Sequence, residues 1–206
     1  MAHSNLVRAA GHTALVALVA LGAACSPKQV SRIDPATVTD LSGRWNDTDS
    51  RLVANELIKQ SLDGAWVRRY SDAHGGSAPT VIVGDFANKT YEHIAVGTFV
   101  NDLERAFTTS GAVQVVAGAA ERGEVRAERA DQQQNANAAT RSRMGNETGA
   151  NYMLQGEIQA IEDSEGKEKV VFYQVDATMV DMESNAKVWI GQHKIKKYIL
   201  RKRLGL

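Results

Sequence analysis

Residues 169–197 read KVVFYQVDATMVDMESNAKVWIGQHKIKK, and their period of two decides the fold. Val171, Tyr173, Val175, Ala177 and Met179 fall on alternate positions and share one face, while Gln174, Asp176 and Thr178 point the other way. Glu183-Ser184-Asn185 turns the chain, and Lys187 to Lys196 returns with Val188, Trp189, Ile190 and Ile195. Upstream, Tyr152, Leu154, Gly156, Ile158 and Ala160 alternate with Gln155, Glu157 and Gln159, and Ser164-Glu165-Gly166 joins that run to the next. Three consecutive half-exposed strands with short turns predict an antiparallel meander.

Outward from the meander the pattern changes. Thr80 to Phe86 is a short apolar run between Pro79 and Asn88, as expected of a central strand buried on both faces. Val96, Phe99, Val100, Leu103, Ala106 and Phe107 recur at helical spacing and stop at Ser110-Gly111. Ala112 to Ala117 reads as a second short strand, completing a β-α-β unit. Two helical stretches, about 120–133 and 137–148, follow. Ahead of the unit, Asn46 to Ser50 caps a helix expected over about 49–64, and Ser71 to Ala78 reads as a loop. The expected fold is α/β, close to α+β: one domain with a mixed sheet of four or five strands ending in an antiparallel meander, flanked by helices, in the order α-β-α-β-α-α-β-β-β.

The N-terminus is of another kind. Residues 1–24 hold no acid, and Thr13 to Ala24 is apolar or small throughout, the h-region of a signal peptide and too short to span a bilayer. The chain's one cysteine, Cys25, follows Leu21-Gly22-Ala23-Ala24, where bacterial lipoproteins carry the acylated residue. Gly22 stands where such sequences usually have Leu, so the competing reading is ordinary secretion with cleavage after Ala24. Ser26, in place of Asp, directs a lipoprotein onward to the outer membrane's periplasmic face. Residues 25–40 are then the lipidated cysteine and a short tether, 41–198 the globular domain, and 199–206 a basic tail. Fully stretched, the fifteen tether residues reach ~50 Å.

The 206 residues carry 24 bases and 24 acids, but unevenly. Residues 25–193 hold seventeen bases against twenty-four acids, a net charge of −7, whereas the last thirteen hold six bases and no acid. An exported chain does not meet nucleic acid, so the basic end is suited to anionic lipid, cell-wall polymer or an acidic protein face. The alternative is an edge strand guarded by lysines against pairing.

No residue set points to bond chemistry. A lone cysteine excludes an internal disulfide and a Cys/His zinc site. His74, His93 and His193 lack partners at i+4, Asp47 and Asp49 lack the later ligands of a calcium loop, and no GxSxG, GxGxxG or phosphate loop occurs. Gly84 and Gly156 fall inside strands, where close approach or a bulge explains them. No catalytic residue, metal or cofactor is expected. What stands out is Glu121 to Asp131: on a helix Arg122, Arg126 and Arg129 lie within roughly 60° of one another, while Glu121, Glu124 and Glu128 form a separate stripe. Like charges at i, i+4 repel, so the row does not serve the isolated helix. It either presents cations to an acidic partner or pairs with neighbours in its own domain.

DLSGRWNDTDSRLVA from Asp40, PTVIVGDFANKTYEHI from Pro79, ERGEVRAERADQQ from Glu121, the step Glu147 to Ala150, and the stretch from Lys169 together resemble LpoB-type lipoproteins over about residues 40–197. That resemblance implies a non-catalytic, monomeric outer-membrane lipoprotein, anchored by acyl chains, that binds a bifunctional class A penicillin-binding protein and stimulates glycan polymerisation and cross-linking. It also implies kinship with the TolB and CsgG envelope domains, which leaves a structural or secretion-accessory lipoprotein as the alternative. The sequence departs from the best-known members in its short tether, and Gly123 weakens the arginine helix by ~1 kcal/mol relative to Ala.

Overall fold

The computed structural model describes residues 29–201; Cys25, the 1–24 segment and residues 202–206 lie outside the described residues. A boundary between Thr37 and Val38 divides the chain into two units. In the first, the Asp34 carboxylate accepts the Ala36 N–H and closes a turn. The second, from Val38 onward, carries every helix and strand among the described residues.

Helix α1, Asp47–Asp63, begins at a capping box. The Asn46 side chain accepts the Asp49 N–H, and the Asp49 carboxylate accepts the Asn46 N–H, both at 3.0 Å. Val53, Ala54, Leu57 and Ile58 form its buried stripe. Gly64 is extended and ends the helix, but the chain resumes at once as α2, Ala65–Ala73. The single helix expected over 49–64 is therefore a pair, and most of α2 occupies sequence where no element was expected. The reason is Trp66: buried to 1%, it donates its indole N–H at 2.7 Å to the Ser61 carbonyl, which also accepts the Gly64 N–H at 3.0 Å, so both helices are tied at one point.

Strand β1, Thr80–Asn88, leads to α3, Val96–Ser110, which stops at Gly111 in the left-handed region (φ 65°). Strand β2 is only Gln114–Val115, shorter than the 112–117 expected. Helix α4 follows over Ala119–Asn135 and is continuous through Gly123. The second helix expected at 137–148 does not form: Asn137 caps a turn with its own side chain, Gly145 adopts a positive φ of 76°, and the segment has no apolar face to bury. Strands β3 (Tyr152–Glu165), β4 (Glu168–Asp181) and β5 (Lys187–Leu200) complete the chain, β5 running four residues beyond Lys196.

The sheet order is β2-β1-β3-β4-β5, with β1 parallel to β2 and β3, and β3-β4-β5 antiparallel. This is the mixed five-stranded sheet with a terminal meander expected from the sequence; the element order is α-α-β-α-β-α-β-β-β. Helix α1 packs on α3 and β5, and α3 on β1 and β2, so one face of the sheet is covered. Phe99, Leu103, Phe107, Leu57, Ile158, Ala177 and Met179 meet there at 1% exposure or less. The opposite face presents Gln155, Gln159, Lys194 and Lys196 to solvent. Between β1 and β3 the register shifts from Val83 to Phe86, and a Cβ on Gly156 would fall on the Asp176 carbonyl and the Phe86 ring, so close approach accounts for that glycine.

One polar cluster ties the start of the domain to its last strand. Lys197, on the inward phase of β5 with Ile195 and Ile199, is 10% exposed and donates to Asp49 at 2.6 Å, Asp40 at 2.7 Å and the Arg44 carbonyl at 3.1 Å. Burial opposes its charge, but the bonds to Asp40 and Asp49 prevail and hold its ammonium above the usual lysine range. Lys197 in turn keeps the Asp40 carboxyl below its ordinary range. Beside this cluster Glu92 accepts from the Trp45 N–H at 3.0 Å and from the Tyr173 hydroxyl at 2.6 Å. Burial, then that carboxylate, pushes the Tyr173 hydroxyl well above the ordinary phenol range.

Removing the Lys197 charge leaves Asp49 buried and unpaired, so Lys197→Met lowers unfolding stability by ~3 kcal/mol in urea titrations, and adding Asp49→Asn restores much of it. The Lys197 contribution holds below pH 10.5 and disappears as pH rises through its raised folded value; the Asp40 contribution holds above pH 3.8 and disappears as pH falls below it.

Candidate docking face

Helix α4 has no buried side chain, an unusual state for seventeen helical residues. Its first turn is capped by the Glu121 carboxylate, which accepts the Gly118 N–H at 2.9 Å. What holds the rest is polar. Gln132 accepts the Ser142 N–H at 2.9 Å and Gln133 donates to the Ser142 carbonyl at 2.8 Å, so two adjacent side chains occupy both backbone groups of one loop residue.

The arginine row lies on this helix as expected. Arg126 grips Glu147 bidentately, Nε at 2.9 Å from Oε1 and Nη2 at 2.7 Å from Oε2, and Arg129 donates from Nη1 to Oε1 at 2.8 Å. Hydrogen bonds from Arg126 and then Arg129 pull the Glu147 carboxyl down to about 2, and Glu147 raises the Arg126 guanidinium. Two members of the row thus pair within the domain, yet Arg126 keeps 58% of its side chain in solvent. Arg122 makes no ion pair among the described residues, and its Nε is buried without an acceptor. Glu147 lies in a segment without periodicity, eighteen and twenty-one residues from its partners, and the sequence carries no signal for the pairing.

A cavity of about 270 Å³ opens beside the pair, lined by Val116, Ala117, Arg122, Val125, Arg129 and Glu147 among others. Among the described residues no group of three or more His, Cys, Asp or Glu side chains is placed to hold a metal ion, and no helix is long and apolar enough to cross a membrane.

Of the basic end of the chain, Lys197 is turned into the core, while Lys194 and Lys196 stand exposed on β5, the outer strand of the sheet. That is the arrangement of a lysine-guarded edge.

The family model described as the peptidoglycan-synthase activator LpoB matches residues 49–195. The chain belongs to the LpoB family. Similar solved structures include the LpoB C-terminal domain from Salmonella enterica (14% identity, 72% of this chain and 99% of that one, TM-score 0.40). Others are LpoB from E. coli (12%, 86% and 83%, TM-score 0.41) and lipoprotein GNA1162 from Neisseria meningitidis (19%, 59% and 84%, TM-score 0.35). Comparison with curated proteins gives no match. The LpoB family comprises activators of peptidoglycan synthases rather than enzymes, and its members are envelope lipoproteins.

The Arg126–Glu147–Arg129 clamp holds the 136–150 segment on α4. Glu147→Gln therefore speeds amide exchange across residues 137–148 while leaving the global melting midpoint close to that of the unaltered chain. In carboxyl NMR Glu147 titrates near 2; its pairing is complete above pH 4.5 and fades as pH falls from there toward 2.

Proposed function

We propose that this chain is a lipid-anchored activator of a class A penicillin-binding protein. The family match over residues 49–195 carries the reading. Acylation at Cys25 fixes the chain to the periplasmic face of the outer membrane, since several acyl chains at ~0.8 kcal/mol per buried CH₂ hold a protein on a bilayer. Residues 25–40 serve as tether and the domain from residue 41 as the docking unit. The domain makes and breaks no bonds in the glycan. It acts by binding the active conformation of the synthase more tightly than the resting one, which is sufficient to shift the population toward activity.

The docking surface is the exposed side of α4 with Arg122, Arg126 and Arg129. Arginine is suited to interfaces because its planar guanidinium loses less hydration than an ammonium and bonds carboxylates in pairs. With fifteen tether residues the reach from the anchor is ~50 Å, so the synthase must present its receptor domain within that distance of the outer membrane.

The test is a binding and rate measurement with detergent-solubilised class A synthase and the full lipidated chain. Co-purification of the two, with faster glycan polymerisation when the chain is present, is expected; no binding and an unchanged rate would sink the reading.

A further inference from the structure

Helix α4 and the end of β2 leave a cavity whose charge is not balanced. Two guanidinium groups, Arg122 and Arg129, line it against one carboxylate, Glu147, which Arg126, outside the wall, bonds as well. Arg126 and Arg129 already bond it. Arg122 lines the same cavity with a desolvated Nε that has no acceptor. Arg122 has no ion pair of its own among the described residues, so its guanidinium is the cation of this cavity left for a second carboxylate. Val116, Ala117 and Val125 form the apolar part of the wall. At about 270 Å³ the cavity lies just under the ~300–1,000 Å³ of typical small-molecule sites and suits one or two side chains.

We propose that this cavity is a receptor for a glutamate or aspartate side chain of a partner protein, flanked there by an apolar residue, with Arg122 donating to the carboxylate. The partner is the synthase of the preceding section, and the inference rests on that reading. A protein carboxylate is favoured over a phosphate by the wall itself: Val116, Ala117 and Val125 reward an apolar neighbour that a phosphate group lacks. The neighbouring Arg126 grips a planar carboxylate with two bonds from one guanidinium, the geometry an arginine offers such a group. Occupation also neutralises excess positive charge without disturbing the Glu147 clamp.

The experiment uses the full chain in detergent micelles and follows the Arg122 Nε–Hε NMR resonance. Two probes differ in one group, N-acetyl-glutamyl-leucine amide and N-acetyl-glutaminyl-leucine amide, and inorganic phosphate is the third. A saturable downfield shift with the glutamyl probe, little with the glutaminyl one and little with phosphate is expected. In parallel, Arg122→Gln weakens capture of the solubilised synthase by roughly tenfold, the loss of one charge-assisted bond, with Arg122→Lys intermediate and melting midpoints unchanged. Equal capture by Arg122→Gln, or phosphate moving the resonance as far as the glutamyl probe, would overturn the assignment. Should the unaltered chain fail to capture the synthase, the function reading falls, and the peptide titration alone decides the cavity: a selective shift upholds it and no shift ends it.

Discussion

A lysine pointing into the domain holds its two ends together. Lys197, on the last strand, bonds Asp40 and Asp49 across 157 and 148 residues of sequence. Asp49 simultaneously completes the capping box of α1, so one carboxylate orients the first helix and anchors the last strand. Asn46 adds to it by donating to Asp40 at 2.7 Å. The helix start, the chain leading into the domain and β5 are therefore set by a single group of charges. Such a group costs several kcal/mol to desolvate and contributes mainly by penalising every arrangement in which one member is missing. Next to it, Glu92 joins Trp45 to Tyr173, and Trp45 packs edge-on against both Tyr173 and Phe99. The hydrophobic core is thus closed at this end by polar bonds that specify position.

At the other extreme stands α4. No residue of it belongs to the buried core, and it keeps its place through Glu147 and the Ser142 clamp, bonds that are individually weak in solvent. The contrast has a consequence for dynamics. No residue of α4 or of the 136–150 segment is itself buried, so that unit is free to open locally at a cost below global unfolding. The docking role proposed for α4 draws on this: an element built this way adapts to a partner without endangering the sheet behind it.

Much of this was legible in the sequence, and for definite reasons. The meander follows from period-two alternation, which a one-residue slip would reverse, and α3 from its complete apolar stripe ended by glycine. Gly156 was readable as a close approach because a strand interior gains nothing else from glycine. Helix α2 was hidden because Gly64 looks like an end, whereas the Gly64 N–H and the Trp66 indole N–H both bond the Ser61 carbonyl and make it a joint. The helix expected at 137–148 failed for the opposite reason: its residues favour helix locally, but no partner surface covers them. Lys197 carried a signal that composition obscured. It lies among basic residues that read as a tail, yet its parity with Ile195 and Ile199 places it inward. Glu147 carried none, since its partners lie across an irregular segment.

In the proposed function the two charge clusters divide the work an activator requires. A regulator without bond chemistry influences its target only through a difference in binding free energy between the target's states. That difference is largest when the docking groups are fixed in position, because less freedom is then lost on association. The Lys197 cluster fixes the frame through buried, geometrically demanding bonds. The arginine row achieves a local order of its own: Glu147 holds Arg126 and Arg129 in place at 2.7–2.9 Å and keeps its charge to about pH 2, so two guanidinium groups are already immobilised beside Arg122. The internal pairing of the row and its proposed use toward a partner are therefore compatible. Glu147 consumes part of the positive charge, and in exchange it removes the rotamer freedom that free arginines would have to surrender on docking.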